Sequence, residues 1–536
     1  MPLLLLAVLA CAGPSDNKPG DDTGGDSGTD TACTAAFFAD NDGDGFGAGD
    51  ARSGCVVPDG YVSVDGDCAD DDATRFPGGV EVCGDAIDQD CDGADVLCLW
   101  SGAHDIAEAD ARYLGDAADD RLGEQLVAAG DLDGDGYGDL LLARDGGNAG
   151  QDNGALWFGY GQDPLAGDIV ASALPRYDFG RCLNDVAAAG DVNGDGFADV
   201  IVGTACDTEV GGYTGLARLF YGGPTRFSND SAALGDATFG DDAEYGSIGT
   251  TVSGAGDVDG DGLADVLLAD YGSVYLVYGS ATPMTGRIAL EDEAGWASES
   301  SLRCDGAAGL AHGDLDGDGL SDLLACDYSN GDPTGDTPGK TRLLYGGTER
   351  FFSPPKGNLY AWDASFLGPD DAGAVGMGRV LGAGDFDGDG YGDLATASQT
   401  AQNFRGWVWV FSGQATRYAG DTNASTATYA FTGAEEGGYF AESLEVVPDL
   451  DGNGTDELLV GGRDGAAWLF GGVPRVGAYG PSDADATFSG GAADDLLGLS
   501  LAAPDLDGDG QPDLVLGAPG TDLGLGAAHV FLGSGM

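Results

Sequence analysis

From about residue 104 onward the apolar residues fall in short blocks of strand length, set between turns rich in Gly and Asp. Continuous apolar blocks include Leu140-Leu141-Leu142, Val200-Ile201-Val202, Val266-Leu267-Leu268, Leu458-Leu459-Val460 and Leu514-Val515-Leu516. Each follows an acidic turn. Across that turn lies a short segment that opens on Leu or an aromatic followed by Gly, as in Leu122-Gly123 to Ala129, Phe179-Gly180 to Ala189, Tyr245-Gly246 to Ala255 and Leu497-Gly498 to Ala503. A third block ends in an aromatic, usually with Gly: Leu156-Trp157-Phe158-Gly159, Val274 to Gly279, Trp407 to Phe411, and Ala467-Trp468-Leu469-Phe470-Gly471. A fourth is short, as in Ala237-Thr238-Phe239-Gly240 and Ala486-Thr487-Phe488. Runs of this length and composition, bounded by turn residues, predict strands. Four strands per unit in seven units predict an all-β fold, a seven-bladed β-propeller of four-stranded antiparallel blades.

The turn between the first and second blocks is a nine-residue carboxylate loop, D-x-D/N-G-D/N-G-x-x-D/E, present seven times at intervals of about sixty residues. Side-chain oxygens stand at positions 1, 3, 5 and 9. The sets are Asp131, Asp133, Asp135, Asp139; Asp191, Asn193, Asp195, Asp199; Asp257, Asp259, Asp261, Asp265; and Asp314, Asp316, Asp318, Asp322. The remaining three are Asp385, Asp387, Asp389, Asp393; Asp449, Asp451, Asn453, Glu457; and Asp505, Asp507, Asp509, Asp513. Carboxylates about 4 Å apart repel by roughly 1 kcal/mol per pair even in water. A hard cation with oxygen ligands, Ca2+, removes that penalty. The backbone carbonyl of position 7 (Tyr137, Phe197, Leu263, Leu320, Tyr391, Thr455, Gln511) is expected to join the shell. An EF-hand needs a bidentate Glu at position 12, where this chain has Leu142, Val202, Leu268, Ala325, Thr396, Val460 and Leu516. The loop is therefore a hairpin turn.

These residues resemble the FG-GAP repeat of integrin α-subunit propellers, with "FG" at Phe179-Gly180 and "GAP" at Gly517-Ala518-Pro519, over roughly residues 104–536. Integrin-like architecture implies calcium hairpins on one rim and ligand contacts on the other, where the loops joining strands 2–3 and 4–1 emerge. Tyr213, Tyr328 and Phe404 are aromatic candidates for contact in those loops. The chain ends just after a third strand, Ala528 to Leu532, so residues 111–115 are expected to supply the missing outer strand of the last blade and close the ring.

Residues 2–10 are apolar and lead to Val8-Leu9-Ala10-Cys11, which resembles the lipobox of bacterial lipoproteins with Cys11 as the lipidated residue. This predicts export, to an outer membrane or cell surface through a lipid anchor, or alternatively secretion. Residues 12–32, rich in Asp, Gly, Ser and Thr, form a flexible tether able to reach about 25 Å. Residues 33–98 hold Cys33, Cys55, Cys68, Cys83, Cys91 and Cys98, a disulfide framework for an oxidising compartment. Asp40, Asp42 and Asp44 head an acidic loop there, and the segment resembles the Cys/Asp-rich metal-binding repeat of bacterial surface proteins. It is expected to hold one or more Ca2+ ions besides about seven in the propeller. The propeller, residues 99–536, carries four more cysteines, whose places in the hairpins predict the pairs Cys182–Cys206 and Cys304–Cys326.

Composition narrows the function. With 92 acidic and 21 basic residues the net charge is −71, yet 42% of the chain is hydrophobic, so it folds but does not bind nucleic acid. His104, His312 and His529 are scattered, and no G-x-S-x-G, HExxH or phosphate loop occurs. The expectation is a calcium-binding adhesion or binding module, not an enzyme, with a protein or glycan ligand outside the cell. The alternatives are a lectin-like propeller, or a polysaccharide hydrolase or lyase whose carboxylate pair is hidden among the loops.

Overall fold

The computed structural model describes residues 35–54, 56–77, 88, 91, 100–117, 120–145, 154–180, 183–205, 215–229, 235–240, 247–270, 272–290, 296–297, 309–327, 339–351, 362–368, 377–378, 380–472 and 477–533. Two compact units are present, Met1–Val96 and Leu97–Met536. In the smaller one, Ala35–Ala39 lies between Ala48–Gly54 and Tyr61–Val62 in an antiparallel sheet. Phe37 is its buried apolar residue, and a disulfide joins Cys68 to Cys91.

Among the described residues the larger unit shows seven sheets of four or five strands, a β-propeller. Blade 1 is a meander of Gln125–Gly130, Asp139–Arg144, Gly154–Gly159 and Arg176–Gly180. The inner strand turns into the acidic loop through a bulge at Gly130, as it does at Gly190 and Gly256 in blades 2 and 3. These glycines have φ of 75°, 74° and 64°, the left-handed region that side chains resist. Second strands are buried throughout, as in Leu140 to Ala143, because neighbouring blades pack on both faces.

Ala111–Leu114 pairs antiparallel with Ala527–Phe531, so that segments near the two ends of the chain complete blade 7. Tyr113 is 1% exposed in a cluster that includes Leu142, Trp157, Val515 and Val530.

Two features depart from the sequence reading. Phe179-Gly180 ends the fourth strand of blade 1 rather than opening the first strand of blade 2, where the buried Leu183 stands before Asp185–Gly190. Blades are also not limited to four antiparallel strands. Among the described residues five sheets gain a fifth, parallel strand from the segment that precedes strand 4 of the next blade. Gly286–Ala289 lies on Ala237–Gly240, Gly420–Asn423 on Ala364–Leu367, and Gly477–Tyr479 on Tyr429–Thr432. Gly102–Asp105 covers Ala486–Ser489, and Gly167–Val170 covers Ala111–Leu114. An Asp at the head of the fourth strand organises the exchange. Asp110, Asp236, Asp363 and Asp485 accept backbone N–H bonds through their side chains from Leu532, Tyr221, Tyr345 and Gly471. Their carbonyls accept from Gly167, Gly286, Gly420 and Gly102. Each of these five blades is thus clipped to the next, and its sheet edge is covered.

Of the cysteines expected to pair in the propeller, Cys326 is disulfide-bonded, while Cys182, Cys206 and Cys304 lie outside the described residues, as do Cys11, Tyr213 and Tyr328.

Candidate metal centres

The acidic loops are held by their own carboxylates. In blade 1, Asp131 Oδ1 accepts the N–H groups of Gly134 (2.6 Å) and Asp135 (3.2 Å), and its Oδ2 accepts Gly136 N–H (2.9 Å). Asp135 Oδ1 takes Tyr137 N–H at 3.1 Å. Asp139 is clamped by two backbone donors, Leu132 at 2.8 Å and Gly161 at 2.9 Å. The position-9 clamp recurs at Asp199, Asp265, Asp322, Asp393, Glu457 and Asp513. Carboxylate oxygens of positions 1, 3 and 9 converge within 4.8 Å in the loops of Asp131, Asp257, Asp314 and Asp385.

Burial pushes Asp139, Asp199, Asp265, Asp322, Asp393 and Asp513 up to about 7, and Glu457 to about 8, more than their backbone bonds offset. Neighbouring loop carboxylates add to the rise. A divalent cation reverses both effects, and an all-oxygen donor set suits a hard ion. The residues therefore fit such an ion: in the loops of Asp131, Asp257, Asp314 and Asp385 the carboxylates of positions 1, 3 and 9 converge as donors.

Successive loops are also joined to one another. The N–H of position 8 donates to the position-1 carbonyl of the preceding blade: Gly138 to Asp505, Ala198 to Asp131, Ala264 to Asp191, Ser321 to Asp257, Gly392 to Asp314 and Asp456 to Asp385. Except at Gly452, the position-7 side chain covers the position-4 glycine of the preceding loop, so a Cβ on Gly134 would lie 2.5 Å from Phe197 and one on Gly317 2.6 Å from Tyr391. An ion in one loop would consequently be coupled to the packing between two blades.

In the smaller unit Asp40, Asp42 and Asp44 also converge within 4.8 Å. Sequence reasoning missed Asp67, which is 7% exposed. Burial raises its pKa, and the charges of Asp44 and Asp42 raise it further. Buried oxygens of Asp42, Asp44 and Asp67 have no hydrogen-bond partner, an arrangement that a cation would satisfy. Its position just before Cys68, which the Cys91 disulfide anchors, was the available signal.

The inner strands line a central cavity of about 280 Å³ that contains Glu124, Asp185, Glu442 and Glu445. Burial pushes Glu445 up to about 8, and Glu124 and Asp185 to about 7. Such groups bind a proton more tightly folded than unfolded, so their stabilising contribution is complete below about pH 4 and is lost as pH rises through 7 to 8. Glu445→Gln is expected to raise the melting temperature by a few degrees at pH 8 and to leave it nearly unchanged at pH 4.5. Equal shifts at both pH values would contradict this assignment.

The histidines do not assemble with one another: His312 lies on an inner strand, His529 is buried in blade 7, and His104 sits 3.3 Å from Glu108. Burial lowers His529 to about 4, so it is uncharged at neutral pH.

This fold and these loops match known repeats. Residues 125–158, 377–411 and 497–531 match the FG-GAP repeat, and 257–325 an FG-GAP-like repeat. Residues 67–95 match a family described as "Putative metal-binding motif". The chain thus carries FG-GAP repeats on a β-propeller, and a match to that motif in its N-terminal unit. It is 34% identical to integrin alpha-5 of Xenopus laevis over 114 residues, 20% of this chain and 11% of that protein. It is 26% identical to integrin alpha pat-2 of Caenorhabditis briggsae over 226 residues, 38% of this chain and 18% of that protein. The chain therefore spans less than a fifth of the length of these relatives. A crystal structure of BBS1N in complex with ARL6DN, soaked with lead, aligns over 78% of this chain and 96% of that chain, with 9% identity and a TM-score of 0.38.

Proposed function

We propose that this protein is an exported, calcium-loaded propeller, held at a cell surface through lipid on Cys11, that works as a non-enzymatic adhesion or binding module. The observation that carries this reading is the sevenfold acidic hairpin on a propeller with FG-GAP repeats, whose donors converge in the loops of Asp131, Asp257, Asp314 and Asp385 where a calcium ion would stiffen a blade seam. The tether of residues 12–32 would hold the folded units away from the membrane. Among the described residues no helix is long and apolar enough to cross a membrane.

One observation favours a glycan as the ligand. Trp407 and Trp409 stack with centroids 5.7 Å apart and line a cavity of about 290 Å³ with Gln402, Ser425 and Thr428. Paired indoles beside amide and hydroxyl groups suit the apolar face and hydroxyls of a sugar ring. Phe404, 44% exposed and 5.0 Å from the Tyr439 ring, stands on the same strand 2–3 connection.

The full chain should be tested against panels of glycans and extracellular proteins in 1 mM Ca2+ and in EDTA. Calcium-dependent binding is expected, and loss of at least tenfold in affinity on Trp407→Ala would identify the glycan reading. Binding that survives EDTA unchanged would argue against a calcium-dependent module.

A further inference from the structure

Among the described residues three of the acidic loops receive a cation from the next blade. Arg226, Arg350 and Arg417 each stand four residues after Gly222, Gly346 and Gly413, the glycines that donate to position 9 of their own blades. Each reaches back to the loop before. Arg226 donates through Nε to Asp133 and through Nη2 to Asp135 at 2.6 Å. Arg350 binds Asp259 and, at 2.5 Å, Asp261, while Arg417 binds Asp316 and, at 2.8 Å, Asp318. Each guanidinium also lies over a tyrosine of the blade it reaches, Tyr160, Tyr278 or Tyr345, at 4.5 to 4.7 Å. The hydroxyl of that tyrosine accepts the N–H of the residue after the arginine: Phe227, Phe351 or Tyr418.

Blade 2 keeps the frame and loses the charge. Tyr221 still accepts from Met284 N–H, but Pro283 occupies the arginine's place. Its loop has Asn193 at position 3, and Asn193 Nδ2 donates to Asp195 Oδ2 at 3.0 Å, the oxygen that the arginines take elsewhere. At the junction of blades 7 and 1, the buried Leu165 stands in that place. Asp163 lies there too, next to Gln162, whose N–H donates to the Leu506 carbonyl of that loop at 2.8 Å.

The arginines are not what shapes the loops. The three backbone bonds to position 1 measure 2.6 to 3.2 Å in the Asp131, Asp191 and Asp505 loops alike. What differs is charge: four carboxylates with an arginine in blades 1, 3 and 4, three in blade 2, and four with an added acid nearby in blade 7. Calcium affinity in oxygen-ligand loops rises with the number of charged ligands.

We propose that Arg226, Arg350 and Arg417 are internal counter-cations that weaken calcium binding in blades 1, 3 and 4 and tie those blade junctions when the ion is absent. The loop Asp505–Asp513, at the junction that closes the ring, is then among the tightest and most ion-dependent. This rests on the calcium reading above.

The test is competition for Ca2+ between the full chain and a chromophoric chelator, paired with melting in EDTA. Wild type should show a weaker class of three sites. R226Q/R350Q/R417Q should tighten that class roughly tenfold, the effect of a unit charge about 6 Å from a divalent ion in water-like dielectric. The corresponding triple Lys variant should retain the weak class. In EDTA the Gln variant should melt several degrees below wild type, and 1 mM Ca2+ should narrow the gap. Asp507→Asn, a single change in an arginine-free loop, should weaken one site about tenfold. Calcium binding with isotherms identical in wild type and the Gln variant, or weaker in the variant, overturns the counter-cation role and leaves the calcium reading intact. No calcium binding by wild type overturns both.

Discussion

Excess EDTA is expected to lower the melting temperature of the protein by roughly 10 °C or more relative to 1 mM Ca2+. With a site Kd of ~0.1 mM, typical of extracellular modules, linkage contributes about 1.4 kcal/mol per loop and about 10 kcal/mol over seven. For a unit of this size, with an unfolding entropy of about 0.9 kcal/mol per degree, that corresponds to roughly 10 °C. Without the ion the position-9 acids must either remain charged beside their neighbours or bind protons, since burial already holds most of them at about 7. Because six of the seven loops also donate to the loop before them, Pro512 denying the last an N–H, loss of ions loosens junctions between blades as well as the hairpins. Ion content at equilibrium dialysis against 1 mM Ca2+ should approach eight per chain, seven in the propeller and one at Asp40, Asp42, Asp44 and Asp67. An unchanged melt with no bound ion would reduce the loops to Asp/Gly turns and return their carboxylates to candidacy for catalysis.

The second large effect is expected at ring closure. Tyr113→Ala should cost about 3–5 kcal/mol, the usual result of emptying a buried aromatic site. Tyr113 lies opposite Ala528 in register and is 1% exposed. Its strand is all that stands between Ala527–Phe531 and the parallel strand Gly167–Val170, so weakening it loosens two sheet pairings together. Tyr113→Phe separates packing from polarity. The hydroxyl is buried with no hydrogen-bond partner, so its removal should be neutral or stabilising by up to about 1 kcal/mol. Urea unfolding of both variants decides: a cost below about 1 kcal/mol for the alanine would mean that blade 7 does not depend on this strand.

Much of the fold was readable because it is local. The loop D-x-D-G-D-G carries its hydrogen-bonding programme within nine residues, so the positions of Asp131, Gly134, Gly136 and Asp139 follow from the pattern itself. Second and third strands announce themselves by apolar runs that two neighbouring blades bury. The fifth strands do not, since segments such as Gly167–Val170 and Gly286–Ala289 lie at sheet edges, have no fully buried residue and show no apolar alternation. Phe179-Gly180 was misplaced for a related reason: an aromatic–glycine pair ends one strand as readily as it precedes another.

What the sequence by itself determined, then, is the all-β character, the sevenfold repeat and the acidic hairpin, each set by residues within a few positions of one another. Tertiary structure alone decided which groups meet those hairpins. Arg226 reaches Asp133 across 93 residues and Arg417 reaches Asp316 across 101, while Asp67 joins Asp42 and Asp44 only after the module folds. Periodicity fixes the elements, but a charge balance between blades depends on distances that exist only once the ring has closed.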